Sequence, residues 1–97
     1  MARQPMIRQY VVIVPAGEAS RPSPAVGMRV MLSIQNTGAN PGLVRFADVV
    51  RLDGGDMVLA AGQFSPLWNQ RETCPNEALN FYSAAGTTFS VLEMVER

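Results

Sequence analysis

No histidine and no lysine occur in this chain of 97 residues, and Cys74 is its single cysteine. Without histidine there is no general base that titrates near neutrality, and the commonest metal ligand is missing. Without lysine there is neither a phosphate-loop lysine nor a Schiff-base nucleophile. One cysteine excludes an intramolecular disulfide and a four-thiolate zinc site, and with no histidine beside it Cys74 lacks the partner that activates a catalytic thiolate. A structural thiol is expected in the polar loop before Pro75. Eight arginines balance eight carboxylates, so the basic excess that binds phosphate backbones is absent as well. The start, MARQPMIRQY, carries no long apolar run, and Tyr10 to Val14 is far too short to span a bilayer. Neither a membrane nor a nucleic acid is expected as partner, and no cofactor or metal is implied.

What is present is β-sheet pattern. Apolar residues make up 47% of the chain, an ordinary globular share for one small domain. Residues 1–7 read as a loose arm, and residues 8–97 as a single domain. Gln9 to Val14 is dense in β-branched residues and apolar on both faces. Gly17 to Gly27, with Pro22 and Pro24, reads as an extended loop. In MRVMLSIQ, residues 28–35, alternation sends Val30, Leu32 and Ile34 to a core and Arg29, Met31, Ser33 and Gln35 outward. The stretch NTGANPG turns the chain, and Val44 and Phe46 point inward around Arg45, as in a long-looped hairpin. A turn at Asp53–Asp56, a strand from Met57 to Leu59, and a Pro66-disturbed edge segment 63–69 follow. Strands at Glu77–Tyr82 and Phe89–Val95 close the chain. In the last, Phe89, Val91 and Val95 oppose Leu92 and Met94. About seven short strands without helical period give an all-β antiparallel sandwich, jelly-roll-like.

The candidate sites weigh against catalysis. Asp53 and Asp56 flank two glycines, but calcium needs six or more oxygens, so an ordinary turn is favoured over a metal site or an acid–base pair. Arg29, Arg45 and Arg51 are expected on outward faces, where solvated charge contributes little. Trp68 is either a core ring or an interface anchor. The first and last strands carry apolar side chains on both faces, which calls for cover by another subunit or by a folded-over loop. The expected partner surface comprises Tyr10, Val12, Arg29, Arg45, Trp68 and Met94.

The succession MLSIQNTGANPGLVRF, MVLAAGQF and NFYSAAGTTFSVLE resembles a group of small tailed-phage virion proteins. Their pattern runs through I-x-N-x-G-x-N-P, V-x-F, L-x-x-G and a closing S-x-A-G-T-x-x-x-V-L/V-E. The match spans residues 28–93, about two-thirds of the chain. The resemblance implies a non-enzymatic capsid decoration (cement) protein that binds the major capsid protein on the virion surface. It would be made in the host cytoplasm and form a homo-oligomer, a trimer. Carried over by position, Asn36, Gly38, Asn40 and Pro41 shape a loop, and Ala85, Gly86 and Thr87 the turn into the last strand. The alternatives are a tail or head-fibre component, a carbohydrate-binding module stacking sugars on Trp68, Phe64 and Tyr82, and a single-stranded nucleic-acid barrel, which the zero net charge disfavours.

Overall fold

The computed structural model describes residues 5–22, 28–46, 57–70, 74 and 78–96. Seven strands lie in two sheets: β1 Pro5–Val14, β2 Glu18–Ser20, β3 Met28–Asn36, β4 Gly42–Phe46, β5 Met57–Leu59, β6 Leu79–Ser83 and β7 Thr87–Glu96. One sheet has the order β1-β7-β3 and the other β2-β6-β4-β5, with every pair antiparallel. Successive strands mostly cross from sheet to sheet, which is the winding of a jelly roll. The place beside β3 is taken by residues 64–68, which bridge it at Leu32–Trp68 and Gln35–Phe64. Pro66 lies between those two bridges, in the edge position its missing N–H requires.

The core is the set of inward positions from both sheets. Val12, Val14, Leu32, Ile34, Phe89 and Val91 face Val44, Leu59, Leu79 and Phe81. Phe81 and Phe89 meet across the layer with ring centroids 4.8 Å apart. Alternation also fixes what lies outside, because neighbours in register share a face. On the first sheet the outward rows are Ile7–Met94–Met31, Gln9–Leu92–Ser33 and Val11–Ser90–Gln35.

Four expectations change. The first strand begins at Pro5, so residues 5–7, assigned to a loose arm, pair with residues 94–96. The Pro-containing loop holds a short strand, β2, paired to Ser83–Phe81 of β6. β3 and β4 belong to different sheets, so NTGANPG is a crossover between layers rather than a hairpin turn. Finally, the register shifts between Arg29 and Met31. That bulge turns Arg29 to the inner face with Leu32 and Ile34, leaving Val30 only half-buried. The turn at Asp53–Asp56, Arg51, Pro24 and residues 1–4 lie outside the described residues.

The crossover is held by one side chain. Asn36 is fully buried. Its Nδ2 donates to the carbonyls of Asn40 (2.8 Å) and Leu59 (2.9 Å). Its Oδ1 accepts from the Gly38 N–H (3.0 Å) and the Thr87 hydroxyl (2.8 Å). Asn40 Nδ2 in turn donates to the Gly86 carbonyl at 2.8 Å, and the Ser83 hydroxyl to the Pro41 carbonyl at 2.8 Å. The residues of the NTGANP and AGT motifs are thus one contact network joining the crossover to the β6–β7 turn. Gly38 must be glycine because a Cβ there would collide with Thr87 and the Thr88 backbone. Gly86 sits at φ +85°, a conformation that other residues adopt at a cost.

Replacing Asn36 by Ala leaves the Thr87 hydroxyl and two carbonyls without partners in a dry site. We expect a loss of about 2–4 kcal/mol in urea unfolding, with Thr87→Val costing less and coupling non-additively to it. Full additivity of the two would show that no shared network exists.

Candidate functional site

The last strand reads TTFSVLEMVE, and alternation places Glu93 on the inner face with Phe89, Val91 and Val95. A carboxylate in a core must be paired or neutralised. Glu93 is fully buried, and two arginines reach it. Arg29 Nε donates to Oε2 at 2.7 Å. Arg8 Nη1 lies 3.0 Å from Oε1, within ion-pair reach but without hydrogen-bond alignment. The register explains the convergence: Arg8 of β1 is directly opposite Glu93, and on the other side Leu32 of β3 is, with Arg29 brought inward by the bulge. One carboxylate therefore ties all three strands of this sheet.

Tyr10 stands two residues from Arg8 on the same face, with the guanidinium 5.0 Å from its ring centre. Burial raises its hydroxyl from the ordinary 10 to about 12; the Glu93 charge adds to this and the two arginines oppose it. Cys74 is buried, its thiol pushed up by burial, with Arg29 pulling the other way and Glu93 adding to the rise. A thiol held protonated is a poor nucleophile. The cluster sets two arginines from β1 and β3 against one carboxylate on β7, an arrangement that ties the three strands.

The expected partner surface divides. Val12 is core, and Arg29 is buried in the ion pair; both corrections follow from inward register, with the bulge added for Arg29. Tyr10 is half-buried on the inner face. Trp68 is partly buried against the core, edge-on to Phe46 at 5.5 Å and 86°, and its backbone bonds Leu32 in both directions. Arg45, in register with Asn80, is half-buried on the other sheet. Met94 alone lies on the outer face of the first sheet, half-buried between Ile7 and Met31.

That outer face carries the most exposed aliphatic side chains among the described residues. Ile7, Val11 and Ile13 of β1 are 65%, 63% and 73% exposed, and Leu92 is at its centre. Arg8 and Glu93 point inward, so the outward positions from Ile7 to Ile13, Thr88 to Met94 and Met31 to Gln35 hold no charge. A shallow groove of about 180 Å³ crosses it, lined by Gln9, Ser33, Gln35, Phe64, Ser90 and Leu92. A second groove, about 240 Å³, lies on the opposite sheet between Pro41, Leu43, Val58 and Tyr82. Phe64, Trp68 and Tyr82 thus fall on one outer face, against the core and on the other outer face. They do not form the shared plane that sugar stacking needs.

The fold has a counterpart among solved structures. A chain from work on Bacillus endospore appendages, which form a novel family of disulfide-linked pili, superposes with a TM-score of 0.57. The match covers 99% of this chain and 91% of that one at 14% identity. At that identity the likeness shows the fold. No family model and no curated protein matches the sequence.

Removing Glu93 leaves two arginines facing a core without their carboxylate. Glu93→Gln should cost about 3–5 kcal/mol in denaturant unfolding, whereas a combined Arg8→Met, Arg29→Met, Glu93→Leu variant should recover most of it. A Glu93→Gln protein as stable as the parent would remove the tie. For Tyr10, the folded state holds its proton more tightly than the unfolded chain. Stability from this group is complete below pH 10 and is lost as pH rises from 10 through about 12. In unfolding titrations across that range, Tyr10→Phe should flatten the decline; an unchanged slope would exclude Tyr10 as its source.

Proposed function

We propose that this chain is a non-enzymatic structural subunit that works in many copies within a larger assembly. The observation that carries this is the outer face of the β1-β7-β3 sheet, uncharged from Ile7 to Ile13 and from Thr88 to Met94, with Ile7, Val11 and Ile13 each more than 60% exposed. Large aliphatic side chains exposed together on one uncharged face of a small domain point to a place where another chain sits. The buried cluster at Glu93 offers no exposed nucleophile or base, and the two grooves lack converging titratable groups.

The narrower form of this reading is a capsid decoration protein, held on the major capsid protein of a tailed phage in trimers about local axes. It rests on the NTGANP and AGT motifs, whose residues meet in one network as a shared fold requires. Modest contacts repeated over a shell become strong through avidity. A second reading, a subunit of a fibre or appendage, is favoured by the likeness to the pilus chain. Quantitative mass spectrometry of purified particles separates them. Copies comparable with the major shell protein support decoration, and a few to a few dozen support a tail or fibre. Absence from every particle or appendage fraction would overturn the structural reading.

A further inference from the structure

The β1-β7-β3 sheet has two edges, and the chain treats them differently. On β3, the outward backbone groups from Leu32 to Asn36 are bonded by residues 62–68. Leu32 and Trp68 exchange both bonds at 2.8 and 3.0 Å, the Ser65 N–H donates to the Ile34 carbonyl at 2.7 Å, and the Asn36 N–H to the Gln63 carbonyl at 3.0 Å. On β1, the outward groups belong to Ile7, Gln9, Val11 and Ile13. Two observations fix that direction. The Thr88 carbonyl accepts from Thr37 and Gly38 on the β3 side, so its register partner Ile13 does not bond β7. The Ile13 carbonyl instead accepts the Ser20 hydroxyl at 3.1 Å. Alternation carries the same direction to Val11, Gln9 and Ile7, where no hydrogen bond among the described residues meets the outward row. Pro5 occupies the next outward position and has no N–H to offer, which ends the row.

We propose that this row pairs with the same row of a second copy, antiparallel, about a two-fold axis at Gln9. The inference rests on the reading of the chain as an assembling subunit and names the edge it uses. The stretch I-R-Q-Y-V, residues 7–11, is self-complementary under that operation. Ile7 falls opposite the partner's Val11, Gln9 opposite the partner's Gln9, and Val11 opposite the partner's Ile7. Two aliphatic pairs thus flank a pair of amides that can bond each other, all on the uncharged face. On the inner side Arg8 falls opposite the partner's Tyr10, a cation against a ring, while its charge stays paired with Glu93. The pairing joins two three-stranded sheets into one of six strands, β3-β7-β1 meeting its copy. It supplies the cover that bare edge strands otherwise require. Because each copy offers the β1 row once, this pairing joins copies two by two, including copies that belong to neighbouring larger assemblies.

Three variants of the full chain test this. Directly opposite residues in a hydrogen-bonded antiparallel pair have Cα atoms about 5.5 Å apart, within disulfide range. In a Cys74→Ala background, Gln9→Cys should therefore cross-link two chains under mild oxidation. Ile7→Cys should not, since its copy lies four residues along the strand, about 13 Å away. Val11→Lys, at a position 63% exposed in the single chain, should halve the mass seen by light scattering and leave the circular dichroism spectrum unchanged. Equal cross-linking at positions 7 and 9, no cross-linking at 9, or an unaltered mass for Val11→Lys would overturn the pairing. Any of these results together with a high copy number in particles would discard this edge and leave the assembling-subunit reading intact.

Discussion

The sheet that carries this protein's apolar surface depends on one buried carboxylate. Glu93 sits in the middle strand, where no water reaches it, and is tolerable there only because Arg8 and Arg29 arrive from the two flanking strands. Each arrival imposes a constraint. Arg29 needs the bulge at residues 29–31, which costs β3 its regular alternation. Arg8 must face inward, which places Ile7, Gln9, Val11 and Ile13 outward on an edge strand. The usual pattern of a two-layer sandwich is thereby partly inverted: ions are inside one sheet and large aliphatic side chains outside it. A buried ion triad adds little net stability compared with well-packed apolar residues. Its consequence here is geometric, since it fixes the register of three strands and leaves the opposite face without charge from Ile7 to Ile13 and from Thr88 to Met94.

Much of this was legible in the sequence, and the failures have specific causes. An all-β antiparallel two-layer class, six of the seven strands and the inward sets Leu32–Ile34, Val44–Phe46 and Phe89–Val91–Val95 follow from period-two alternation, which is strong where one face is dry; β2, read as loop, does not. Arg29 was misplaced because a one-residue bulge reverses every position beyond it, and nothing in MRVML marks the bulge. Glu93 shares the parity of Val91 and Val95 in the sequence. A charge at an inward position is the signal, and two arginines at Arg8 and Arg29 are its answer. The crossover at NTGANPG looked like a hairpin because the turn residues for both are the same; which sheet a strand joins depends on partners distant in sequence. The role of Asn36, Asn40 and Thr87 as shapers of loop and turn was expected, but their mutual contact is a tertiary fact that local spacing does not contain.

The partner surface was half legible for a related reason. Two-faced apolar strands announced that the first and last strands need more cover than one domain provides. They did not say which face would be covered by the domain itself. Val12 and Tyr10 went inward, Met94 outward, and Trp68 closed over the core beside Phe46. Alternation separates two faces without naming them, and only the inward pull of Glu93 on Arg8 decides the matter for β1.

The two edges of that sheet complete the same logic. A bare strand edge is a hazard that proteins blunt with charge, proline, bulges or covering segments. Here β3 has its outward groups from Leu32 to Asn36 met by residues 62–68, and its near end bulged at residues 29–31. β1 has a proline only at its start and a side-chain hydroxyl only at its end, with Ile7 to Val11 unguarded between them. Its one charge, Arg8, is turned inward to Glu93, so the device that would repel a neighbouring strand is spent in the core. The outward row Ile7, Gln9 and Val11 is bare and holds no charge, the kind of edge that invites pairing with another strand. The bare edge and the buried carboxylate are therefore two sides of one constraint: turning Arg8 in to Glu93 leaves the outward row of β1 without a charge.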